Sequence, residues 1–327
     1  MKKHIFDSTV YHLFHGHETK RDDTRFPIFN RHKKYKQEDW YEHIRRNSGW
    51  GMPESDNIDM TDYKSYLNES LLYVYTNSRK PRITICMVSY LRYETLIKSL
   101  NNILSLGVSV NLLLWINQSD KMTKNIRDRV RVLCSKFPNH EITFSKTNMG
   151  TGYPRFMMLN KAHHEYDTEF VMTTDDDIMF RTPEELVLGA TVLDQKEYSD
   201  YGAIGIWCDP RYNRVHIKKG GKSFSLISPT EGFYDVDALG AATMTIRRSV
   251  LKNCNCDPQY LIGLVDWDFS MSMRQEGWKL GLVCDNRYKP LNDVSGSTNE
   301  YRRGRWDETV IENSKKLFRK KWNIKIR

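Results

Sequence analysis

The pattern of hydrophobic and polar positions divides the chain near residue 80. From Pro81 onward, short apolar runs alternate with segments whose apolar residues recur at helical spacing. Residues 82–90, RITICMVSY, read as a strand. Leu96, Leu100, Ile103 and Leu104 then share one helix face, and Gly107 ends that helix. NLLLWIN, 111–117, is a second strand; Ile126, Val130, Leu133 and Phe137 follow at helical spacing, closed by Pro138. EITFS, 141–145, is a third strand. A glycine-bearing turn, 146–152, leads from it into a helix over about 154–163. Phe170, Val171 and Met172 open a fourth strand. Thr182, Pro183 and Glu185 then supply the N-cap, the first position and the third position of a capping box, and that helix runs to about Leu193. Strand–helix alternation with short links implies an α/β protein with a doubly wound, mostly parallel sheet.

Past Tyr201 the pattern loosens. GAIGIW at 202–207 and KLGLVCD at 279–285 are strands, and GAATMTIRR at 240–248 is a small-residue turn leading into another. LVDWDFSMSMRQEGW, 264–278, opens with Asp266 and Asp268 and continues as a helix. Residues 289–308 read as a polar, glycine-bearing loop, and the end of the chain as a basic helical tail. Before residue 80 the chain is rich in His, Tyr, Lys and Arg and poor in aliphatic runs. VYHLFHGHE, 10–18, suits a short strand on which His15 and His17 share a face and His12 turns away. Residues 60–77 suit an amphipathic helix capped by Thr61 or Asp62. Three segments result: an N-terminal appendage over 1–80, a main domain over 81–300 and a basic tail over 301–327.

Composition narrows the class. The 327 residues can bury a large core; 39% are hydrophobic and 28% charged, as in soluble globular proteins. There is no apolar run of membrane-spanning length and no apolar signal core at the start, so the expected location is the cytoplasm, that of the host cell if the chain is viral. The six Cys are scattered apart from Cys254 and Cys256, which favours free thiols over a zinc site. The Asn-x-Ser sequons at Asn68 and Asn117 carry little meaning without export. The net charge of +9 favours an anionic partner, whether nucleic acid, membrane face or anionic polymer. Lys218, Lys219 and Lys222 form a basic loop. Its Gly-Lys-Ser is not a phosphate loop, since His216 stands where the earlier glycine would be.

The chemistry concentrates in FVMTTDDDIMF, 170–180. An apolar strand runs into Asp175, Asp176 and Asp177, and apolar residues resume at once. On an extended chain Asp175 and Asp177 share a face and Asp176 points away. Carboxylates this close raise one another's pKa unless a cation lies between them. Hard oxygen ligands suit Mg²⁺ or Mn²⁺, which also take phosphate oxygens from a substrate. The triplet therefore reads either as a metal–diphosphate site or as an acidic turn ahead of a helix cap.

Residues from about 82 to 298 resemble the family 2-like glycosyltransferases of GT-A fold, a Rossmann-like class that includes phage-type DNA-modifying enzymes. MVSYLRYETLIKSLNNIL resembles the family's first strand and helix, WINQSD its second-strand end, NMGTGYPRFMMLNKA its Asn-x-Gly segment, TTDDDI its D-x-D element and VDWDFSMSMRQEG its acidic helix start. The resemblance implies a nucleotide-sugar donor held by Ser89, Tyr90, Arg92, Asn117, Asn148, Gly150, Arg155, Asp175 and Asp176. Asn117 stands where the family has an Asp near the base. The same resemblance implies Mn²⁺ or Mg²⁺ on Asp175 and Asp177, and Asp266 as the base in an inverting transfer. Acceptor contacts are expected from Lys218, Lys219, Lys222, Gly240, Trp267 and Asp268. Many relatives complete the metal site with a late His. No His follows His216 here, so the third ligand is expected at His15, with His12 or Asp293 as alternatives. A hydroxylated base in DNA is the favoured acceptor, a surface polysaccharide or lipid-linked glycan the alternative. A catalytically silent nucleic-acid-binding module on the same fold is the second class of function.

Overall fold

The computed structural model describes residues 66–206, 215–219, 223–227, 231–240, 242–293, 297–305 and 307–323. The expectations for His12, His15, His17, Lys222, the Thr61 or Asp62 cap and the end of the tail after Asn323 lie outside the described residues. The helix expected at 60–77 is α1, Glu69–Asn77, and its N-cap is Asn68, whose side chain accepts from the Leu71 N–H. Tyr66, Leu72 and Tyr75 join the main core.

The elements that follow are β1 Ile83–Tyr90, α2 Tyr93–Ser105, β2 Asn111–Asn117, α3 Lys124–Cys134, β3 His140–Phe144, α4 Gly152–Glu165 and β4 Phe170–Asp175. After these come β5 Ile178–Met179, α5 Pro183–Asp194, β6 Tyr201–Ile206, β7 Val215–Lys219, β8 Ser223–Ile227, β9 Gly232–Val236 and β10 Thr243–Arg247. The last are α6 Val265–Gln275, β11 Lys279–Cys284, β12 Leu291–Asn292, α7 Asn299–Arg305 and α8 Glu308–Trp322. The main sheet has the order β3-β2-β1-β4-β10-β6-β11-β9. β3, β2, β1 and β4 pair in parallel, as do β6 and β11, while β10 and β9 run against their neighbours. This is the expected α/β, Rossmann-like, mostly parallel arrangement. β9, the β7–β8 hairpin and α7 went unread in the sequence.

Period-two alternation builds two layers around this sheet. Ile83, Ile85 and Met87 of β1, with Leu112, Leu114 and Ile116 of β2, face the cluster formed with α1, α2, α3 and α5. The chain moves from β1 to β2 to β3 with α2 and α3 on that face. It then steps back to β4 through α4, and a right-handed crossover in the reverse direction puts α4 on the opposite face. Half of the expected capping box of α5 forms: Thr182 accepts from the Glu185 N–H, but the Glu185 carboxylate reaches past the N-cap to the Arg181 N–H at 2.6 Å. Cys86, Cys134, Cys254, Cys256 and Cys284 are buried thiols. No helix among the described residues is long and apolar enough to cross a membrane.

The reversal of strand order falls between β1 and β4, where Val88 stands opposite Asp175. In open α/β sheets ligands collect beyond the carboxyl ends of the strands at such a point. The turn before α4 fixes one wall of this crevice. Gly150 has φ +70°, and a Cβ there would overlap the Leu261 carbonyl. The Thr151 N–H donates to that same carbonyl at 2.6 Å and the Gly152 N–H to the Tyr260 carbonyl at 3.1 Å.

Two glycines with nearly equal φ separate the effects of conformation and contact. Gly107 has φ +71° with open space where a Cβ would sit. Gly107→Ala should therefore cost only the left-handed backbone term, about 1–2 kcal/mol. Gly150→Ala adds a backbone collision and should cost clearly more. Equal losses on denaturant unfolding would show that the 260–261 approach does not hold the turn.

Candidate functional site

The acidic triplet sits at the end of β4, but the strand stops at Asp175 and Asp176 and Asp177 form a turn before β5. The alternation expected of an extended chain through Asp177 therefore ends two residues early. Asp176 and Asp177 share one partner: the Arg92 guanidinium grips Asp176 with Nη2 and Asp177 with Nη1. Asp176 is closed on its other oxygen by the Ser89 hydroxyl at 2.6 Å. Asp175 pairs instead with Arg155 of α4 at 2.9 Å. The expected grouping of Asp175 with Asp177, and of Asp176 apart, is thus corrected: the turn swings Asp177 beside Asp176.

Burial and charge compete over these carboxylates. Burial pushes Asp176 up, to about 6; Arg92 opposes the shift and the nearby Asp177 and Asp175 reinforce it. Asp177 is raised by burial in the same way, against the pull of Arg92. Burial also acts upward on Asp175, but the charges of Arg155, Arg305 and Arg92 outweigh it and hold its carboxyl below the ordinary range. Arg92 is 6% exposed and lies between these acids and the Tyr301 ring, whose centroid is 4.4 Å from the guanidinium carbon.

Backbone strain clusters here. Among the described residues, the non-glycine positions with left-handed φ are Leu91 at +56°, Gln118 at +51°, Leu264 at +60° and Asn323. The first three stand directly beside Arg92, directly after Asn117 and two residues before Asp266. Each costs on the order of 1–3 kcal/mol, and such residues persist where the surroundings over-determine them.

The other expected donor residues are partly committed to the fold. Asn117 is buried: its amide donates to the Gly150 carbonyl at 2.8 Å, and its oxygen accepts from Met149 N–H and the Trp115 indole. The side chain expected to read a base is bonded at both its oxygen and its nitrogen within the protein and braces the 148–150 turn. The Asn148 side chain accepts from the Gly150 N–H at 3.0 Å. Tyr90 packs on Tyr301 at 5.9 Å between ring centroids, and α7 can approach it because position 304 is glycine; a Cβ there would collide with the Tyr90 hydroxyl.

Asp266 and Asp268 have opposite fates. Asp266, in the first turn of α6, is half-buried, and a Cβ on Gly240 would lie 3.9 Å from its Oδ2. Asp268 is 0% exposed and both of its oxygens are bonded, to Lys321 Nζ at 2.9 Å and the Trp322 indole N–H at 2.7 Å. Asp268, expected on the acceptor side, faces the protein interior. Trp267 is buried against Phe318 of α8 at 6.4 Å. Lys218 and Lys219 lie on β7, paired with Phe224 and Ser223 of β8 in register. The Asp293 N–H donates to the Asp177 carbonyl at 2.7 Å, while its carboxylate pairs with Lys98 at 3.2 Å.

The sequence reading missed α7 and the inner face of α8. Tyr301 and Arg305 close over Arg92 and Asp175, and Glu300 pairs with Lys121. The Thr298 hydroxyl, which accepts from the Tyr301 N–H at 3.1 Å, is the sequence-level signal for this helix start.

Asp177 Oδ1 is buried without a hydrogen-bond partner, an orphaned acceptor within the acidic turn. No group of three or more His, Cys, Asp or Glu able to hold a metal occurs among the described residues. One or two carboxylates plus substrate phosphates and water is the usual set for Mg²⁺. The residues fit a cation that arrives with a diphosphate, not a fully protein-caged one.

No protein-family model and no curated protein matches the sequence. Among solved structures, the chain is similar to TarS of S. aureus at 19% identity and a TM-score of 0.46, over 65% of this chain and 37% of that one. It is similar to A197 from STIV at 11% identity and a TM-score of 0.37, over 62% of this chain and 82% of that one. The chain thus spans little more than a third of the length of TarS, and neither likeness carries an argument about activity.

Arg92→Met leaves two buried carboxylates without their shared counter-charge. It should cost roughly 3–5 kcal/mol at about pH 7.5. A raised carboxyl such as Asp176 contributes stability that is present below its ordinary 3.8 and lost as pH rises through about 6. Removing Arg92 moves that loss to still higher pH, so the deficit against the parent should shrink on acidification. Unfolding by denaturant at the two ends of this window measures it. A deficit independent of pH would mean that Arg92 does not hold these acids ionised.

Proposed function

We propose that the protein is a glycosyltransferase that moves a sugar from a nucleotide-sugar donor to an acceptor hydroxyl with inversion. The observation that carries this reading is the acidic turn 175–177 at the switch point of the sheet, ringed by Arg92, Arg155 and Arg305. Carboxylates and guanidiniums together suit a diphosphate and the cation that accompanies it.

In this reading Arg155 and Arg92 orient the diphosphate at the carboxyl ends of β1 and β4, and Asp177, whose Oδ1 has no hydrogen-bond partner, would hold Mn²⁺ or Mg²⁺ together with the diphosphate oxygens. The cation, when bound, stabilises the charge that develops on the leaving diphosphate. Asp266 takes the proton of the acceptor hydroxyl as its oxygen bonds to the anomeric carbon and the bond from that carbon to the phosphate oxygen breaks. Closure of α7 over Arg92 excludes water from the crevice.

The favoured acceptor is a hydroxylated base in DNA. Lys316, Arg319 and Lys320 on the exposed side of α8, together with the net charge of +9, support a polyanion. A neutral surface glycan is the competing acceptor.

A panel of UDP-, GDP-, CDP- and dTDP-sugars, screened with Mn²⁺ for donor hydrolysis, tests the reading. Asp177→Asn should remove Mn²⁺-dependent donor binding without unfolding the protein, as calorimetry would report. Asp266→Asn should keep donor affinity and lose transfer by at least about 100-fold. For the acceptor, a polyanion predicts an affinity that falls steeply with salt, and a neutral glycan predicts a flat response. Parental donor binding by Asp177→Asn would place the site elsewhere.

A further inference from the structure

α8 contacts the molecule at an unexpected place for a basic terminal helix. Lys321 and Trp322, in its last turn, close both oxygens of the fully buried Asp268. Lys321 also pairs with Asp257 at 3.0 Å, and Ser314 donates to the Ile262 carbonyl at 2.7 Å. Phe318, 0% exposed, packs on Trp267. One helix thus grips the loop 257–262 and the first turn of α6 together.

What that grip constrains is the entry into α6. Gly263 and Leu264 both have left-handed φ, +75° and +60°. Two such residues in succession, one of them not glycine, make an entry that relaxes unless it is held from outside. Asp266 follows two residues after Leu264. Two helical steps rotate a side chain by about 200°, so fixing Asp268 in its socket turns Asp266 to the other side of α6, toward Gly240. A well-packed apolar residue at 268 would serve stability equally well, because a buried ion pair is weak evidence for stability. Two directed bonds to one carboxylate fix a rotational setting, which an apolar contact does less well.

We infer that Lys321 and Trp322 are positioning residues that set the orientation of Asp266 through Asp268. The inference rests on the reading of Asp266 as the base, and the test separates the two.

Full-length Lys321→Met, Trp322→Phe, Lys321→Arg and Asp266→Asn proteins are assayed with the best donor of the same panel, well below the melting temperature of each. Lys321→Met and Trp322→Phe should lower kcat about ten-fold or more and leave the KM for the donor unchanged. Lys321→Arg keeps a cationic donor and should stay near the parent. The double variant Lys321→Met/Asp266→Asn should be no slower than Asp266→Asn alone, since residues acting as one unit are not additive. Parental kcat in both single variants, with Asp266→Asn inactive, overturns the positioning role and leaves the base in place. A further loss in the double variant also overturns it, because Lys321 then acts elsewhere. Full activity in Asp266→Asn, or no turnover by the parent with any donor of the panel, sinks the base reading and this inference with it.

Discussion

Three adjacent carboxylates at the end of a buried strand are the constraint on which the rest of the molecule depends. Left alone, burial would neutralise them. They are compensated by guanidiniums from separate parts of the chain: Arg92 ahead of α2, Arg155 on α4 and Arg305 on α7. Arg92 reaches its two partners because Leu91 takes a left-handed conformation as the chain leaves β1. Arg155 reaches Asp175 because α4 crosses back over the sheet to β4. The crevice is thus the point at which the crossover geometry and the charge balance require one another.

The second constraint links the two sides of that crevice. The 150–152 turn donates backbone hydrogen bonds to residues 260 and 261, and that loop leads directly into α6. Asn117 ties the same turn to the end of β2. Displacing the turn before α4 would therefore disturb the entry to the Asp266 helix as well as Arg155. Gly150 is fixed by this close backbone approach, a reason for glycine that needs no ligand.

Much of this was legible in the sequence, for physical reasons that vary by element. β1, β2, β4 and β11 are short apolar runs buried along their length, and such runs announce themselves. α5 begins with a Thr182 N-cap and Pro183 at the first helical position, local signals that tertiary context did not override. The positions of Asp175–Asp177 and of Asp266 were legible as well, because acids adjoining apolar runs stand out. The partners of those acids were not. Period-two logic holds only while the strand continues, and β4 stops at Asp175. α7 was hidden because Asn299–Arg305 is short, charged and lacks an apolar stripe, and its inward side chains, Tyr301 and Arg305, are read only through Tyr90, Arg92 and Asp175.

Asp266 and Asp268 show why residue type alone could not assign roles around α6. Both are carboxylates in the first turn of one helix, where the dipole favours either. Their difference is set by α8, more than fifty residues later in the chain, which supplies a cation and an indole to Asp268, and no local sequence pattern around α6 signals it. On α8, Ser314 and Phe318 turn inward while Lys316, Arg319 and Lys320 turn outward. The charge of this helix therefore has two separable uses. Its outward residues add to the basic surface, whereas Lys321 is spent on a buried acid. A count of basic residues treats these alike, and only the packing of Phe318 against Trp267 distinguishes them, because it fixes which side of the helix meets α6.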